Sequence, residues 1–276
     1  LRRSAEWLDG RSGLIIAVSG GPDSLALSLL AAEVCSEQKV RFEAVVVDHG
    51  LRAESAAEAA GVVKMLTSRC IPSCCLRVGV SAPSASKSAW ARQQRLELLC
   101  DYARQTASAV LFAHHFDDQA ETVAMRLARG SAVIGLSAIA PVRLYQGVLL
   151  VRPFLRLRKA DLIAVCMAYE ADYITDPSNT DQASERVRIR TWLQQPEQSE
   201  LQQHLARLAS LSAVLSRRLS EACNKWCAEH IVFTLRLRAY IDRSAFSELD
   251  RDSQNYILRH CLAIVGGQPY PVLDDK

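Results

Sequence analysis

The chain has 276 residues, of which 49% are hydrophobic and 23% charged, and its formal net charge is +3. A chain of this size can bury one sizeable core and needs no disulfide staples, so nine scattered cysteines predict a reduced, cytoplasmic protein. The mild positive charge permits an acidic partner such as nucleic acid without requiring one. The sequence shows no membrane-spanning run and no cleavable leader, so we expect no contact with a membrane.

The first two thirds of the chain alternate between short apolar runs and helical patterns. The apolar runs predict strands at Leu14–Val18, Phe42–Val47, Cys75–Val80, Val110–Ala113 and Val148–Pro153. Helices are predicted between or after them at Ser24–Ser36, Ala53–Ser68, Ser86–Arg104, Gln119–Arg129 and Lys159–Ala168. This repetition predicts an α/β fold, a parallel sheet with helices on both faces. Ligands of such sheets bind beyond the carboxyl ends of the strands.

The character of the chain changes after Asp176. A polar stretch at Gln194–Glu200 predicts a linker, and leucines at helical spacing predict an amphipathic helix over Leu201–Ala222. The remainder predicts a small, mainly helical region with one hairpin or strand. We therefore expect two domains, residues 1–195 and residues 196–276.

The stretch Ser19–Ser24, SGGPDS, stands between the first predicted strand and the first predicted helix. Backbone N–H groups at a helix start, glycines that let a ligand approach and the hydroxyls of Ser19 and Ser24 together suit an anion. A capped turn explains the same residues. The lysine of a Walker loop is absent, which disfavours an ordinary ATPase.

Polar residues also follow the second strand, where Asp48, His49 and Arg52 lie in VDHGLR. Their position predicts that they share the ligand-binding edge with the first loop. A simple turn, with Asp48 as a cap and Gly50 in a left-handed conformation, explains this stretch at least as well.

The densest polar cluster is HHFDDQAE, at the junction of a predicted strand and helix. It contains His114, His115, Asp117, Asp118 and Glu121. Helix capping explains one acid but not five ionisable groups in eight residues. Such groups bind Mg²⁺ or an amine, or act as acid and base.

Three further stretches carry weaker signals. The loop DPSN (176–179) precedes alternating arginines at 186, 188 and 190, which suit phosphates or form a solvated helix face.

The cysteines at 70, 74 and 75, and at 223 and 227, lack CxxC spacing. We expect these cysteines to be small buried side chains rather than metal ligands.

Taken together, the motifs resemble a known family. SGGPDS resembles the PP-loop signature SGGxDS of the N-type ATP pyrophosphatases, which adenylate their substrates. Five further motifs narrow the resemblance to the tRNA(Ile)-lysidine synthetase family, over residues 14–190. They are VDHGLR, the ARQQR of Ala91–Arg95, AHHFDDQAET, the RPF that begins at Arg152, and DPSN before the arginines. This sequence departs from the family pattern at Leu96, usually tyrosine, and at Val187, usually asparagine.

The resemblance implies a Rossmann-like fold of the adenine nucleotide alpha hydrolase type, with a PP-loop catalytic domain at 1–195 and a tRNA-binding region at 196–276. It implies an ATP- and Mg²⁺-dependent ligase that adenylates the wobble cytidine of isoleucine tRNA with a CAU anticodon. Free L-lysine then replaces AMP at C2 and gives lysidine. Because pyrophosphate leaves as a unit, no Walker lysine is needed. The expected partners are this tRNA and lysine, with a homodimer as a possible assembly.

The same resemblance implies roles for individual residues. ATP is expected on Ser19, Gly20, Gly21, Pro22, Asp23, Ser24, Asp48, His49 and Arg52. Mg²⁺ is expected on Asp23, Asp117 and Asp118, and the lysine ammonium on Asp117, Asp118 and Glu121. His114 or His115 is expected to deprotonate the amine or to contact phosphate, with His114 assigned to the catalytic set. Substrate or tRNA contacts are expected from Arg92, Arg95, Asn179, Arg186 and Arg190.

Three other functions fit parts of the pattern. A PP-loop tRNA thiolase would need cysteines near the site, and CIPSCC is expected at the opposite edge of the sheet. Another adenylating ligase would release pyrophosphate without tRNA. A module that only senses ATP would not need so many acids beside the loop.

Overall fold

The structure is a computed structural model that describes residues 11–51, 54–80, 83, 87–174, 184–234 and 238–266. The chain divides into two compact units, one of residues 1–129 and 138–206, the other of residues 130–137 and 207–276. The domain boundary expected between residues 195 and 196 stays a prediction. Across the described ranges, no helix has both the length and the apolar composition needed to cross a membrane.

The first unit is a six-stranded sheet with helices on both faces, which confirms the predicted α/β class. Its strands are β1 (Gly13–Val18), β2 (Phe42–Asp48), β3 (Ser73–Arg77), β4 (Ser108–Leu111), β5 (Val142–Tyr145) and β6 (Val148–Val151). Its helices include α1 (Pro22–Gln38), α2 (Ser55–Ser68), α3 (Lys87–Gln105), α4 (Phe116–Ala128), α5 (Lys159–Ala168) and α6 (Glu185–Leu193). Short 3₁₀ helices lie at Val133–Ser137, in the second unit, and at Pro196–Gln198.

The strand order is β3-β2-β1-β4-β6-β5. All neighbouring strands are parallel except β5 and β6. The chain runs outward from β1 to β2 and β3, then returns to the other side of β1 for β4. This change of direction opens a crevice beyond the carboxyl ends of β1 and β4, which is where α/β sheets bind ligands.

Strand β1 is buried on both faces, as its unbroken apolar sequence predicts. Ile16 belongs to a core that contains residues of α1, α2 and α5, such as Val62 of α2. Ile15 belongs to a second core, which contains Leu99 and other residues of α3. The sheet therefore separates two hydrophobic cores. Packing on both faces fixes the position of its polar edge, which lies at the carboxyl ends of the strands.

The strand β5 and several boundaries differ from the sequence prediction. The antiparallel hairpin of β5 and β6 was not predicted. Its turn is formed by Gln146 and Gly147, both with positive φ, a geometry that matches the twist of a two-residue hairpin. Strand β3 begins at Ser73 rather than Cys75, and β4 begins at Ser108 rather than Val110. Apolar runs mark buried residues, whereas pairing with the neighbouring strand decides where a strand begins.

The second unit contains the hairpin β7 (Ile231–Thr234) and β8 (Arg238–Ile241), and the helices α8 (Arg243–Ser247) and α9 (Arg251–Val265). This agrees with the predicted helix-rich region and hairpin. Its core includes Cys223, Cys227, Ile257 and Cys261. All nine cysteines are free, but Cys70 and Cys75 are exposed, so the prediction of buried side chains was wrong for these two.

The helix α7 (Ser199–His230) begins in the first unit and ends in the second. It is longer than the predicted Leu201–Ala222. Of the predicted apolar stripe, Leu205 is buried, but Leu211 and Leu215 are exposed. The buried face of the helix consists instead of Gln202, Leu205, Ala209 and Ser212. Three of these side chains are small or polar, so the spacing of the leucines alone did not predict this face.

Candidate functional site

The PP-loop lies between the end of β1 and the start of α1, as predicted. Gly20 has a φ of +83°, and Pro22 occupies the first turn of α1, where a missing N–H costs no hydrogen bond. The Ser24 hydroxyl accepts a hydrogen bond from the Ser19 N–H at 3.1 Å and donates one to the Gly21 carbonyl at 3.1 Å. The two ends of the loop are therefore joined by its own hydrogen bonds.

Within VDHGLR, Asp48 and Gly50 form the turn that was the alternative interpretation. The Asp48 carboxylate accepts hydrogen bonds from the Ser55 hydroxyl at 2.7 Å and the Gly50 N–H at 2.9 Å, which lower its pKa. Gly50 is left-handed with a φ of +63°. His49 follows Asp48, and burial lowers the pKa of its imidazole, whose buried Nδ1 has no partner. Arg52 lies outside the described residues.

His115 lies at the centre of the acidic cluster. Its Nδ1 is 3.3 Å from Asp117 Oδ2, and its Nε2 is 3.6 Å from Asp23 Oδ2 and 3.5 Å from Asp118 Oδ2. Burial opposes a charge on this imidazole, but the carboxylates of Asp117, Asp23 and Asp118 outweigh it and raise the pKa to about 10. At neutral pH the three acids therefore surround an imidazolium. His115 is a central residue of the site, although the sequence analysis assigned only His114 to the catalytic set.

Asp117 and Asp118 also hold the backbone around them. Asp118 Oδ2 accepts a hydrogen bond from the His115 N–H at 3.0 Å and completes a capping box at the start of α4. Asp117 Oδ2 accepts one from the Lys159 N–H at 2.8 Å, at the start of α5. Burial favours the neutral form of both acids, but His115 and their other partners lower both pKa values.

Glu121 is paired with the arginines of α6. Its carboxylate accepts hydrogen bonds from Arg186 Nε at 2.9 Å and from Arg190 Nε at 2.7 Å, and Arg186 also reaches Asp118 Oδ1 at 2.8 Å. Glu121 itself is 2% exposed. The structure thus brings together Asp118, Glu121, Arg186 and Arg190, which were all predicted to be site residues. In the structure these acids and arginines bind one another. The roles predicted for them toward lysine and tRNA stay predictions.

A second part of the site is positively charged. Arg92 and Arg95 lie in the first half of α3, and neither guanidinium has a hydrogen bond or an ion pair within the described ranges. His114 has a buried Nδ1 without a partner. Burial and the charges of Arg152, Arg92 and Arg95 lower the pKa of His114 to about 3, so this imidazole is neutral. Asn179, the other predicted substrate contact, lies outside the described residues.

Mg²⁺ was predicted to bind Asp23, Asp117 and Asp118. In the part of the chain that the structure describes, no three His, Cys, Asp or Glu side chains are grouped to hold a metal ion. Magnesium is commonly bound by one or two carboxylates together with substrate phosphates. Asp23 suits this arrangement, because its Oδ1 is buried and, in the part of the chain that the structure describes, has no hydrogen-bond partner.

Comparison with known proteins identifies a family and several curated relatives. The model of the ATP-binding PP-loop domain family matches residues 2–197. A tRNA(Ile)-lysidine synthase from Bradyrhizobium diazoefficiens is 44% identical over 191 residues, which is 68% of this chain and 53% of that protein. One from Ruegeria pomeroyi is 34% identical over 269 residues, 93% of this chain and 61% of that protein. The chain spans about half the length of the curated relatives it matches.

Among solved structures, the U34-tRNA thiolase NcsA from Methanococcus maripaludis, determined with its [4Fe-4S] cluster, is similar with a TM-score of 0.61. The match covers 80% of this chain and 77% of that chain at 16% identity. A likeness at this identity concerns the fold alone.

Proposed function

The chain belongs to the PP-loop domain family, and from this premise we propose that it acts as a tRNA(Ile)-lysidine synthase. The observation that carries the proposal is the meeting of Asp23, from the PP-loop after β1, with His115 and Asp118, from the junction after β4. A phosphate loop and a group of acids that can receive an amine then face the same crevice. The curated relatives, which are named tRNA(Ile)-lysidine synthases, support the same function.

ATP would bind with its pyrophosphate at the PP-loop. The hydrogen bonds that Ser24 makes with Ser19 and Gly21 would be exchanged for bonds to phosphate oxygens. Gly20 and the start of α1 suit an anion, because the helix dipole and the free N–H groups point toward it. Asp23 Oδ1 would be a ligand of Mg²⁺, which when bound neutralises phosphate charge.

The reaction has two steps. The O2 of the wobble cytidine attacks the α-phosphorus of ATP, so that an O–P bond forms while the bond to pyrophosphate breaks. The side-chain amine of lysine then attacks C2, the C–O bond to AMP breaks, and the amine gives up a proton. Of the acids proposed for the ammonium, Asp117 has a side chain that is 22% exposed, against 3% for Glu121, which favours Asp117 for direct contact.

The two histidines would have different roles. His114, with a pKa of about 3, is too weak a base to take the proton from the amine at neutral pH, so its neutral imidazole would contact phosphate instead. His115 is already protonated and is held by Asp117, so it would contribute positive charge next to the phosphates. Glu121 would act indirectly, by holding Arg186 and Arg190.

The proposal is tested by incubating the chain with ATP, labelled lysine and isoleucine tRNA carrying a CAU anticodon. We expect pyrophosphate release that depends on the tRNA, and label in the tRNA. Asp23→Asn should abolish both signals, whereas Asp101→Asn, at an exposed position on α3, should retain them.

Release of ADP and phosphate would contradict the proposal, because it would mean cleavage at the γ-phosphorus. Release of pyrophosphate without tRNA would indicate an adenylating ligase for a small molecule. Transfer of sulfur to the tRNA would indicate a thiolase.

A further inference from the structure

The charges of the site are unevenly balanced. On one side, the carboxylates of Asp118 and Glu121 are bonded to Arg186 and Arg190. On the other side, Arg92 and Arg95 have no such partner within the described ranges. Asp118 attracts Arg92, but burial and the charge of Arg186 outweigh it and lower the pKa of Arg92, and burial lowers that of Arg95. Cations that are crowded and partly buried in this way favour an anion on this side of the crevice.

Arg152 extends this positive side. It directly follows β6, so it lies at the same edge of the sheet as His114, which follows β4. Its guanidinium stacks over the ring of Phe112, with 5.8 Å from Cζ to the ring centre. Its Nε is buried and has no hydrogen-bond partner among the described residues. A buried donor without a partner is costly, which indicates that a ligand supplies the missing acceptor.

The rest of the Arg152 side chain is anchored to one segment. Its Nη1 donates to the Ala140 carbonyl at 2.9 Å, and its backbone N–H donates to the Pro141 carbonyl at 2.8 Å. That segment is held in turn by Gln119. The side-chain amide of Gln119 donates to the Ile139 carbonyl at 2.9 Å and accepts from the Ile139 N–H at 2.8 Å.

We propose that Arg152 binds a phosphate group of the substrate and that Gln119 positions Arg152 through residues 139–141. The guanidinium is held by Phe112 and Ala140, while Nε keeps no acceptor among the described residues. Arg92 and Arg95 add positive charge to the same part of the site, since they and Arg152 all lower the pKa of His114. The inference rests on the proposed function only for the choice of probes, which are a tRNA and an ATP analogue.

The test measures binding without turnover. The complete chain and Arg152→Met are titrated with isoleucine tRNA and, separately, with α,β-methylene ATP, at several salt concentrations. We expect Arg152→Met to lower the affinity for one or both probes about tenfold. If the phosphate belongs to the RNA, the slope of log affinity against log salt should fall by about 0.7 to 0.9, the value for one lost phosphate contact. If it belongs to the nucleotide, only the affinity for the ATP analogue should fall.

Two further variants separate binding from folding. Arg104→Met removes a positive charge from the far end of α3, where Arg104 is paired with Asp101, and should leave both affinities unchanged. Arg152→Lys keeps the charge but loses the planar donors, so its affinity should lie between those of wild type and Arg152→Met. Urea unfolding of each variant shows whether the fold is retained.

The role of Gln119 is tested by a double-mutant cycle. Gln119→Met should weaken binding of the same probe as Arg152→Met, and the double variant should bind no more weakly than Arg152→Met alone. Additive losses would overturn the positioning role, and unchanged affinity and salt slope in Arg152→Met would overturn the phosphate contact. Because no turnover is measured, the result stands whether or not the wild type forms lysidine.

Discussion

Gly20 is the most tightly constrained residue of the PP-loop. Its φ of +83° is strained for any residue with a Cβ, and an added Cβ would lie 2.8 Å from Cγ2 of Val62. We expect Gly20→Ala to lower the free energy of unfolding by about 2 to 4 kcal/mol, from the left-handed backbone and the forced repacking together. Affinity for the ATP analogue should fall as well. Urea unfolding and titration with the analogue measure these two losses.

Gly50→Ala is the matched control for Gly20→Ala. Gly50 also has positive φ, +63°, but an added Cβ there meets nothing within 4 Å. Gly50→Ala should lower the free energy of unfolding only through its left-handed backbone, by about 1 to 2 kcal/mol. Equal losses in the two variants would mean that the contact with Val62 does not constrain the loop.

Asp48 makes stability depend on pH. The hydrogen bonds from Ser55 and Gly50 lower the pKa of Asp48 in the folded protein below the unfolded value of about 3.9. The ionised form therefore stabilises the fold above that value, and the stabilisation is lost as pH falls through the folded pKa. We expect Asp48→Asn to lower the free energy of unfolding by about 1 kcal/mol at pH 7 and to make less difference near pH 2.

Urea unfolding of wild type and Asp48→Asn at pH 7, 4 and 2 measures this dependence. Asp101→Asn removes an exposed carboxylate and should leave the pH profile close to that of wild type. A constant difference between Asp48→Asn and wild type at all three pH values would contradict the assignment.

At the scale of elements, α6 is attached to α4 by Glu121. Both oxygens of this buried carboxylate are bonded to arginines of α6. Glu121→Gln removes the carboxylate that binds Arg190 and one of the two carboxylates that bind Arg186, and both arginines are partly buried. We therefore expect the free energy of unfolding to fall by about 3 kcal/mol. Hydrogen exchange of residues 185–193 should become faster. Urea unfolding and exchange of the backbone amides measure the two effects.

The same helix offers a control. Glu185 pairs with Arg129 at the surface, where the two side chains are 37% and 61% exposed. Exposed ion pairs contribute less than about 1 kcal/mol, so Glu185→Gln should have little effect on stability or exchange. Equal losses of stability in Glu121→Gln and Glu185→Gln would mean that burial of the Glu121 ion pairs does not strengthen the attachment of α6.

Sequence reasoning succeeded where the signal was local. The buried strand β1 and the loop at Ser19–Ser24 could be predicted, because an apolar run followed by glycines fixes both. The hairpin at Gln146 and Gly147 could not, since β5 is short and partly exposed. The pairing of Glu121 with Arg186 depends on residues 65 positions apart, which only the folded chain brings together.

At the scale of the whole molecule, the start of α7 belongs to the first unit. Gln202 donates a hydrogen bond to the Leu193 carbonyl and accepts one from Arg158, and Leu205 is buried. A fragment of residues 1–206 should therefore be more stable than one of residues 1–195. The expected difference is about 2 to 4 kcal/mol, chiefly from removing a buried leucine.

Urea unfolding of the two fragments and binding of α,β-methylene ATP test this boundary. Both fragments retain the PP-loop, so the longer one should bind the analogue with close to the affinity of the complete chain. Equal stability of the fragments would favour the boundary at residue 195.

The ion pairs of α6 also bear on when the site can form during synthesis. The PP-loop is made early, at residues 19–24, whereas the arginines that bind Glu121 lie 65 and 69 positions after it in the chain. Synthesis proceeds from the N-terminus, so these arginines become available after the strands of the sheet have been made. On the ribosome, the sheet can therefore assemble around β1 while Glu121 still lacks these two cations. Competence to bind ligand would then arise in one late event, the docking of a nine-residue helix.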